Sequence, residues 1–455
     1  MQKKISVLIK NKINKFSKII KVAADKSLSL RALMLASQCI GISKIRNLLE
    51  SEDVVSCIKA LRTLGVKIVK KNNTYLVYGN GLNSFKYNKK ITKIYVGNSG
   101  TTARLLSGLL STHPGKFYLY GDKSMNKRDM SRVINPLAKI GCFFYPQKKL
   151  TLPLTLKGTS FPLAQKHIES IGSAQTKSLI LFSALSTPGI TSIEEEKISR
   201  NHTELFLKKI NADIKIKKFK KRNLITLKGQ KNLYAFNYDV SSDPSSASFL
   251  VALTLLTPNS KLIINNVICN STRLGFFKIL KEKMNANIQI KNLRKESGEA
   301  VGNIIIKSSN LKSVNCPREL APFLIDEFCI LFIIAALTKG VSKFNGIREL
   351  RYKESDRIKS MEKGLNKIGI ITKSTIDSLK IYGNPNIKIK KKLDIYSSSD
   401  HRVAMSWSIL GLLVSGKVSI HNFETVNTSF PNFLSLIKKI GGKFEIKKNQ
   451  TSLSS

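Results

Sequence analysis

Several short stretches place cationic or amide side chains where an apolar run begins. In "DKSLSLRALMLAS" Lys26 and Arg31 flank such an opening, and "GNSGTTARLL" sets Arg104 behind a run of small residues. "SAQTKSLIL" offers Gln175 and "SDHRVAM" offers Arg402 in the same position. Ser, Thr and Asp at these openings are expected to cap helices, accepting N–H groups that have no partner inside the helix. Capping accounts for one residue per opening and leaves the cations beside it unexplained. Helix N-termini carry free N–H groups and a positive dipole end, so they bind phosphates and carboxylates, and several that converge make a trap for anions. Arginine usage points the same way. Of 15 arginines against 62 lysines, Arg31, Arg104, Arg128, Arg132, Arg200, Arg351, Arg357 and Arg402 all fall in such stretches. In a chain that uses lysine by default, retained arginine marks bidentate recognition of carboxylate or phosphate. Arg104, followed by Leu105 and Leu106, reads also as a stem packed in the core.

The elements that must position these residues recur. "KSLSLRALMLASQCIG", "SGTTARLLSGLLSTHPG", "GSAQTKSLILFSALSTPG", "DPSSASFLVALTLLTPNS", "IDEFCILFIIAALTKG" and "SDHRVAMSWSILGLLVSG" each run from polar residues into about three turns of apolar helix, an estimate from helical period. Each then stops at Gly, Pro or Asn. A strand-like piece follows, such as "KFYLYG" or "KLIINN", and then an amphipathic helix with a tail like "PLAKIG" or "LIKKIG". Self-similarity of this kind predicts an α/β repeat, its first helices apolar all round and therefore buried, with sheet outside them. Six copies in 455 residues imply two domains of three copies, with the break near Asn237–Ser242.

The formal charge of +48 raises the possibility of nucleic acid or an acidic membrane surface. The lysines are spread along the whole chain and there is a single tryptophan, whereas nucleic-acid surfaces cluster their cations and interleave aromatics. A general positive field that attracts anionic small substrates is the better reading, with no nucleic acid and no membrane as partner. No run of eighteen apolar residues is present, and the Lys-rich start lacks a signal-peptide pattern, so a cytoplasmic location is expected. The six cysteines are scattered without CxxC spacing and the five histidines are dispersed, so they read as buried side chains, with no metal site and no cofactor.

Ten stretches in order, from about residue 20 to 435, resemble the EPSP synthase (3-phosphoshikimate 1-carboxyvinyltransferase) family. They are "DKSLSLRALMLAS", "GNSGTTARLL", "GDKSMNKRDMSRVINPL", "SAQTKSLIL", "SRNHTE", "DPSSASF", "LIDEF", "ELRYKESDR", "SDHRVAM" and "TSFPNF"; the last is similar to a bacterial subgroup with Thr-Ser-Phe-Pro. The resemblance implies a two-domain inside-out α/β barrel of six βαβαββ repeats. One domain would comprise residues 1–25 with 240–455 and the other 26–239, with the active site in the cleft between them. It implies transfer of the enolpyruvyl group of phosphoenolpyruvate to the 5-hydroxyl of shikimate 3-phosphate, in chorismate and aromatic amino acid biosynthesis, by a monomer without cofactors.

Carried onto this chain, the motifs imply that Lys26, Ser27 and Arg31 grip shikimate 3-phosphate, with Ser173, Ala174 and Gln175 on its phosphate and Ser199 and Arg200 beside them. Asn98, Gly100, Arg128, Arg357 and Arg402, with Lys26 and Gln175, would hold phosphoenolpyruvate. Gly100 would let backbone approach the donor closely. One acid/base system must work on two atoms, the attacking hydroxyl and the methylene carbon. Asp326 is expected as the base at the 5-hydroxyl, Glu354 as proton donor to and acceptor from the carbon, and Lys26 and Lys353 as the groups that stabilise charge and orient the sugar acid.

Three departures from the family pattern stand out. Ala23-Ala24 replaces a common Pro-Gly, Asp129 beside Arg128 replaces Pro and would weaken the positive field, and Thr428 stands where some members have a lysine. The nearest alternative is the sister enzyme acting on UDP-N-acetylglucosamine, whose reactive loop cysteine has no counterpart in "GDKSMNKRDMSR". A basic nucleic-acid-binding protein is the alternative of a different class.

Overall fold

Six helices are buried nearly all round, and the other elements follow from that. In a computed structural model, which describes residues 4–220 and 222–448, they are Lys26–Ser37, Gly100–Leu110, Ala174–Ala184, Pro244–Leu256, Phe328–Ala336 and His401–Leu413. A helix out of water cannot hydrate its first N–H groups, so side chains must satisfy them. Asp25, Ser99, Ser173, Asp243 and Asp400 do so, accepting from the N–H of Leu28, Thr102, Thr176, Ser245 and Arg402. The fifth helix differs: Glu327 precedes it without a side-chain capping bond.

Sheets cover these helices, six of them among the described residues, each of four strands. The third copy shows the common plan. Strand Lys166–Glu169 lies parallel to Ile190–Glu195 across the buried helix, Asn223–Lys228 runs antiparallel to the latter, and Asp213–Lys218 completes the sheet as a hairpin partner. Burial alternates along Ile190–Glu195, with Thr191, Ile193 and Glu195 turned inward, as a sheet with one solvated face requires.

Three strands are supplied from far along the chain. Asn237–Asp239 pairs with Ile40–Arg46, Ser17–Ile20 with Lys261–Ile268, and Ile5–Ile9 lies between Val418–His421 and Glu445–Lys448. The N-terminal segment therefore belongs with the last three copies. One compact unit comprises the described residues of Met1–Ala23, Ser242–Arg294 and Ala300–Ser455, and the other Ala24–Ser241 with Lys295–Glu299. These are called the C-unit and the N-unit below. The short Lys295–Glu299 piece is tied into the N-unit by Glu299, whose Oε1 lies 2.7 Å from His202 Nδ1.

Close packing has its own requirements. In the N-unit a Cβ on Gly108 would lie 2.4 Å from the Leu179 carbonyl oxygen, so two central helices meet backbone to side of backbone. Between that core and its sheet lies a charged cluster. The Lys177 ammonium, fully buried, is 2.6 Å from Glu195 and 2.7 Å from Glu204. Glu195 also accepts from the Ser199 N–H and hydroxyl and from the Asn223 amide. Burial alone would lower the Lys177 pKa, but Glu204 and Glu195 outweigh it and raise the pKa above the ordinary lysine value. Burial likewise pushes Glu195 up, and Lys177 with the hydrogen bonds brings it below its ordinary value.

Replacing Lys177 by Met leaves two buried carboxylates without their cation, so unfolding in urea followed by circular dichroism should show a loss of about 3–5 kcal/mol. In the parent protein the lowered Glu195 pKa gives stability that is full above the unfolded carboxylate value and lost as pH falls through the folded one. An unchanged midpoint in the variant would remove the cluster from the stability account.

Candidate active site

In the N-unit the starts of the Gly100 and Ala174 helices are stitched together. Arg104 donates through Nη1 to Gln175 Oε1 at 2.7 Å, and Gln175 Nε2 donates to Thr101 Oγ1 at 3.0 Å. Arg128 donates to Asn98 Oδ1. A Cβ at Gly100 would stand 2.9 Å from Arg104 Nη1 and 3.1 Å from Arg128 Nη1. Two guanidinium groups thus close over the first residue of a helix; its φ is not in the left-handed region, and a side chain there would make both arginine tips shift. Asp129 turns its carboxylate to the Ser131 N–H and hydroxyl, and its carbonyl accepts from Arg104 Nη2 at 3.2 Å. Its charge is directed at the helix Ser131–Ile140.

Ser173 Oγ accepts two bonds, from the N–H and the hydroxyl of Thr176. With both lone pairs used, its own proton is the group left to donate. The Ala174 and Gln175 N–H groups belong to the first turn, which has no intrahelical acceptors for them. Glu169 Oε1 holds the approach to this turn, accepting from the N–H of Ile171, Gly172 and Ser173 at 3.1–3.2 Å. Ser199 is engaged by Glu195 as described, with Arg200 next to it in the chain.

Lys26, at the start of its helix, donates to Asp53 Oδ2 at 2.9 Å. Ser27 lends its carbonyl to Arg31 Nη1 at 3.0 Å, while Arg31 Nε and Nη2 donate to Thr203 Oγ1 and Ser178 Oγ. Arg31 is 4 % exposed and cross-links its helix to the Ala174 helix. Sequence reasoning missed Asp53, which reads with Glu52 as an ordinary acid in the first turn of an amphipathic helix, and Glu169.

The C-unit gathers the other set. Arg357 donates to Glu354 at 2.6 Å and to Asp400 at 2.8 Å, with Asp326 at 3.7 Å from its Nη1. Asp326 lies two residues before the Phe328 helix, and Lys353 and Glu354 precede the helix Arg357–Lys367. Burial holds the Lys353 ammonium below the ordinary lysine range, and Arg357 adds to this against the pull of Asp326 and Glu354. Asp400 is fully buried and takes the Arg402 N–H, the Ser355 hydroxyl and Arg357 Nε. Its capping role is the one expected of an Asp directly ahead of an apolar helix, whereas its bond to Arg357 has no signal in the sequence.

Arg402 is different. It is 6 % exposed, its Nε is buried without a hydrogen-bond partner, and among the described residues no carboxylate pairs with it. Its guanidinium carbon lies 6.0 Å from the centre of the Phe249 ring. Thr428 donates to the Thr425 carbonyl at 2.8 Å and supplies no charge. Burial pushes the thiols of Cys39, Cys57, Cys142, Cys316 and Cys329 up to about 12 and that of Cys269 to about 11, so none offers a thiolate. Among the described residues no group of His, Cys, Asp and Glu is arranged to hold a metal, and no helix is long and apolar enough to cross a membrane.

Residues 10–437 match the family model described as EPSP synthase (3-phosphoshikimate 1-carboxyvinyltransferase). The 3-phosphoshikimate 1-carboxyvinyltransferase of Zymomonas mobilis subsp. mobilis is 38 % identical over 443 residues, covering 96 % of this chain and 97 % of that protein. The enzyme of the same description from Petrotoga mobilis is 40 % identical over 426 residues, 92 % of this chain and 96 % of its own. Among solved structures, EPSP synthase from Acinetobacter baumannii superposes with a TM-score of 0.83 at 36 % identity, covering 98 % of this chain and 100 % of that one. An enolpyruvyl transferase from Streptomyces tendae gives 0.77 over 99 % of this chain and 100 % of that one, and at 12 % identity that likeness bears on the fold alone. The two-domain architecture of six small sheets, the ordered helix-start motifs and a match running nearly end to end agree: this chain belongs to the EPSP synthase family.

Proposed function

We propose that this chain transfers the enolpyruvyl group of phosphoenolpyruvate to the 5-hydroxyl of shikimate 3-phosphate, with its polar side chains dividing the work as follows. In the N-unit, Lys26, Ser27, Arg31, Ser199 and Arg200 hold shikimate 3-phosphate. Its phosphate takes the Ser173 proton and the first-turn N–H groups of Ala174 and Gln175. Asn98, Gly100 and Arg128 hold phosphoenolpyruvate, with Lys26 and Gln175 reaching both substrates. In the C-unit, Arg357 and Arg402 clamp the donor's carboxylate and phosphate, and Asp326 and Lys353 face the sugar acid.

Arg402 is the observation that carries this reading. A guanidinium this buried is ordinarily paired. Arg357, tied through Asp400 to the same helix start, already has Glu354 and Asp400, so an anion entering here finds one cation neutralised and one waiting. A compact donor with a carboxylate and a phosphate supplies that anion.

The chemistry then needs two proton movements. As the 5-hydroxyl oxygen bonds to C2 of phosphoenolpyruvate, Asp326 takes the hydroxyl proton and Glu354 gives one to C3, leaving a tetrahedral adduct. Loss of phosphate from C2 regenerates the double bond as Glu354 takes a proton back from C3. Lys353 and Lys26 steady the charge that develops on the oxygens, which electrostatic preorganisation makes the larger contribution. No step calls for a thiolate, in keeping with the raised cysteine pKa values and against the UDP-sugar alternative. Lysine spread through the sequence gives no support to nucleic-acid binding, and the family match does not favour it.

Phosphate release should require both substrates together. Asp326→Ala and Glu354→Gln should each lower kcat by about 10²–10⁴-fold, the usual reach of general acid–base groups, with circular dichroism unchanged. Full turnover in either variant would sink its assignment.

Arg402→Gln separates binding from folding. The KM for phosphoenolpyruvate should rise about 10–100-fold, the worth of one charged hydrogen-bonded contact. The melting temperature of the ligand-free protein should stay level or rise, because a buried charge without a partner has been removed. A lower melting temperature with unchanged KM would mean that Arg402 is a structural residue.

A further inference from the structure

In the N-unit, the helix Ser131–Ile140 and the strand Lys166–Glu169 border a cleft of about 350 Å³. One wall is a polar face of the helix, where Arg132, Asn135 and Lys139 follow one another at helical spacing. The opposite wall is His167 and Glu169, alternate residues on the buried side of the strand, continuing to Thr176 in the first turn of the Ala174 helix. His167 is 7 % exposed and its Nε2 has no hydrogen-bond partner. Burial, and then the nearby Lys139 charge, hold its pKa below the ordinary histidine value. A buried nitrogen in this state costs stability until a partner reaches it. Glu169 is the lining carboxylate, and its Oε1 is taken by the three N–H groups ahead of Ser173.

We propose that this cleft binds a small phosphate-bearing metabolite through Arg132, Lys139 and His167. The occupant also acts on the substrate loop. Two of the residues that line the cleft touch Ser173: Glu169 accepts its N–H, and Thr176 donates both N–H and hydroxyl to its Oγ. Filling the cleft therefore shifts the placement of the Ser173 hydroxyl. This second step rests on Ser173 serving shikimate 3-phosphate; binding itself does not.

Inorganic pyrophosphate, titrated into the full chain at constant ionic strength, would be followed by the ring resonances of the five histidines, with His167 assigned through His167→Gln. The His167 signal should move saturably. That shift should vanish in the Arg132→Gln/Lys139→Gln double variant and persist in Lys208→Gln/Lys209→Gln, which alters two lysines elsewhere on the N-unit. A His167 signal that stays put, or moves equally in the first double variant, overturns the site. The KM for shikimate 3-phosphate should change about fivefold with pyrophosphate in the parent and not in Arg132→Gln/Lys139→Gln, a modest coupling between sites. An equal change in both proteins overturns the coupling. Absence of enolpyruvyl transfer with the His167 shift intact would count against the functional reading and in favour of the site.

Discussion

A helix buried along its whole length cannot leave its first N–H groups to water, and this constraint organises the molecule. Side-chain oxygens of Asp25, Ser99, Ser173, Asp243 and Asp400 satisfy a second- or third-position N–H, which leaves the very first ones for another acceptor. The capping chemistry that lets these helices be buried thus also leaves N–H donors at their starts, the groups the proposed function assigns to anions. Sheets on the outside and helices within are a consequence, because the helices have no polar face to show.

Charge at these ends is distributed unevenly, and the unevenness is informative. Lys26 has Asp53, Arg104 has Gln175, and Arg357 has Glu354 and Asp400, whereas Arg402 has the face of Phe249. The paired cations are held in place at little electrostatic cost, because burial is offset by a carboxylate or amide close by. Asp400 does most of this in the C-unit, bonding Arg357, Ser355 and the N–H of Arg402 at once, so one fully buried carboxylate orients both guanidinium-bearing residues.

Much of this was legible in the sequence because it is local. Caps, apolar runs and stop residues repeat within each copy, so the six helices and their buried character followed from periodicity alone. The ordered motifs then supplied the family and its reaction. What could not be read depends on pairing across the chain. Nothing in "ISVLI" says that Ile5–Ile9 lies between strands near residues 420 and 446, and nothing in the helix around Asp53 marks it as the partner of Lys26. Glu169 is likewise silent in sequence, since its role is to accept backbone N–H groups that only the folded loop presents. Asp129 shows the opposite risk. Beside Arg128 it reads as a charge that cancels, yet three dimensions turn its carboxylate to Ser131.

Arg402 makes the link between stability and function concrete. A buried cation without a carboxylate lowers the stability of the ligand-free C-unit, and the same desolvation makes it a strong acceptor of an incoming anion, since the cost of stripping its water has already been met. Pairing it internally, as Arg357 is paired, would stabilise the fold and remove that advantage. An anion bound there, as proposed, would restore what folding gave up, because a ligand that meets only the native state stabilises it in proportion to its affinity. The lysine-rich surface fits the same logic at longer range. Its field, from a net charge of +48, draws in polyanions without choosing among them. On the proposed reading, choice falls to the few arginines at the helix starts, whose planar, directional donors a lysine cannot replace.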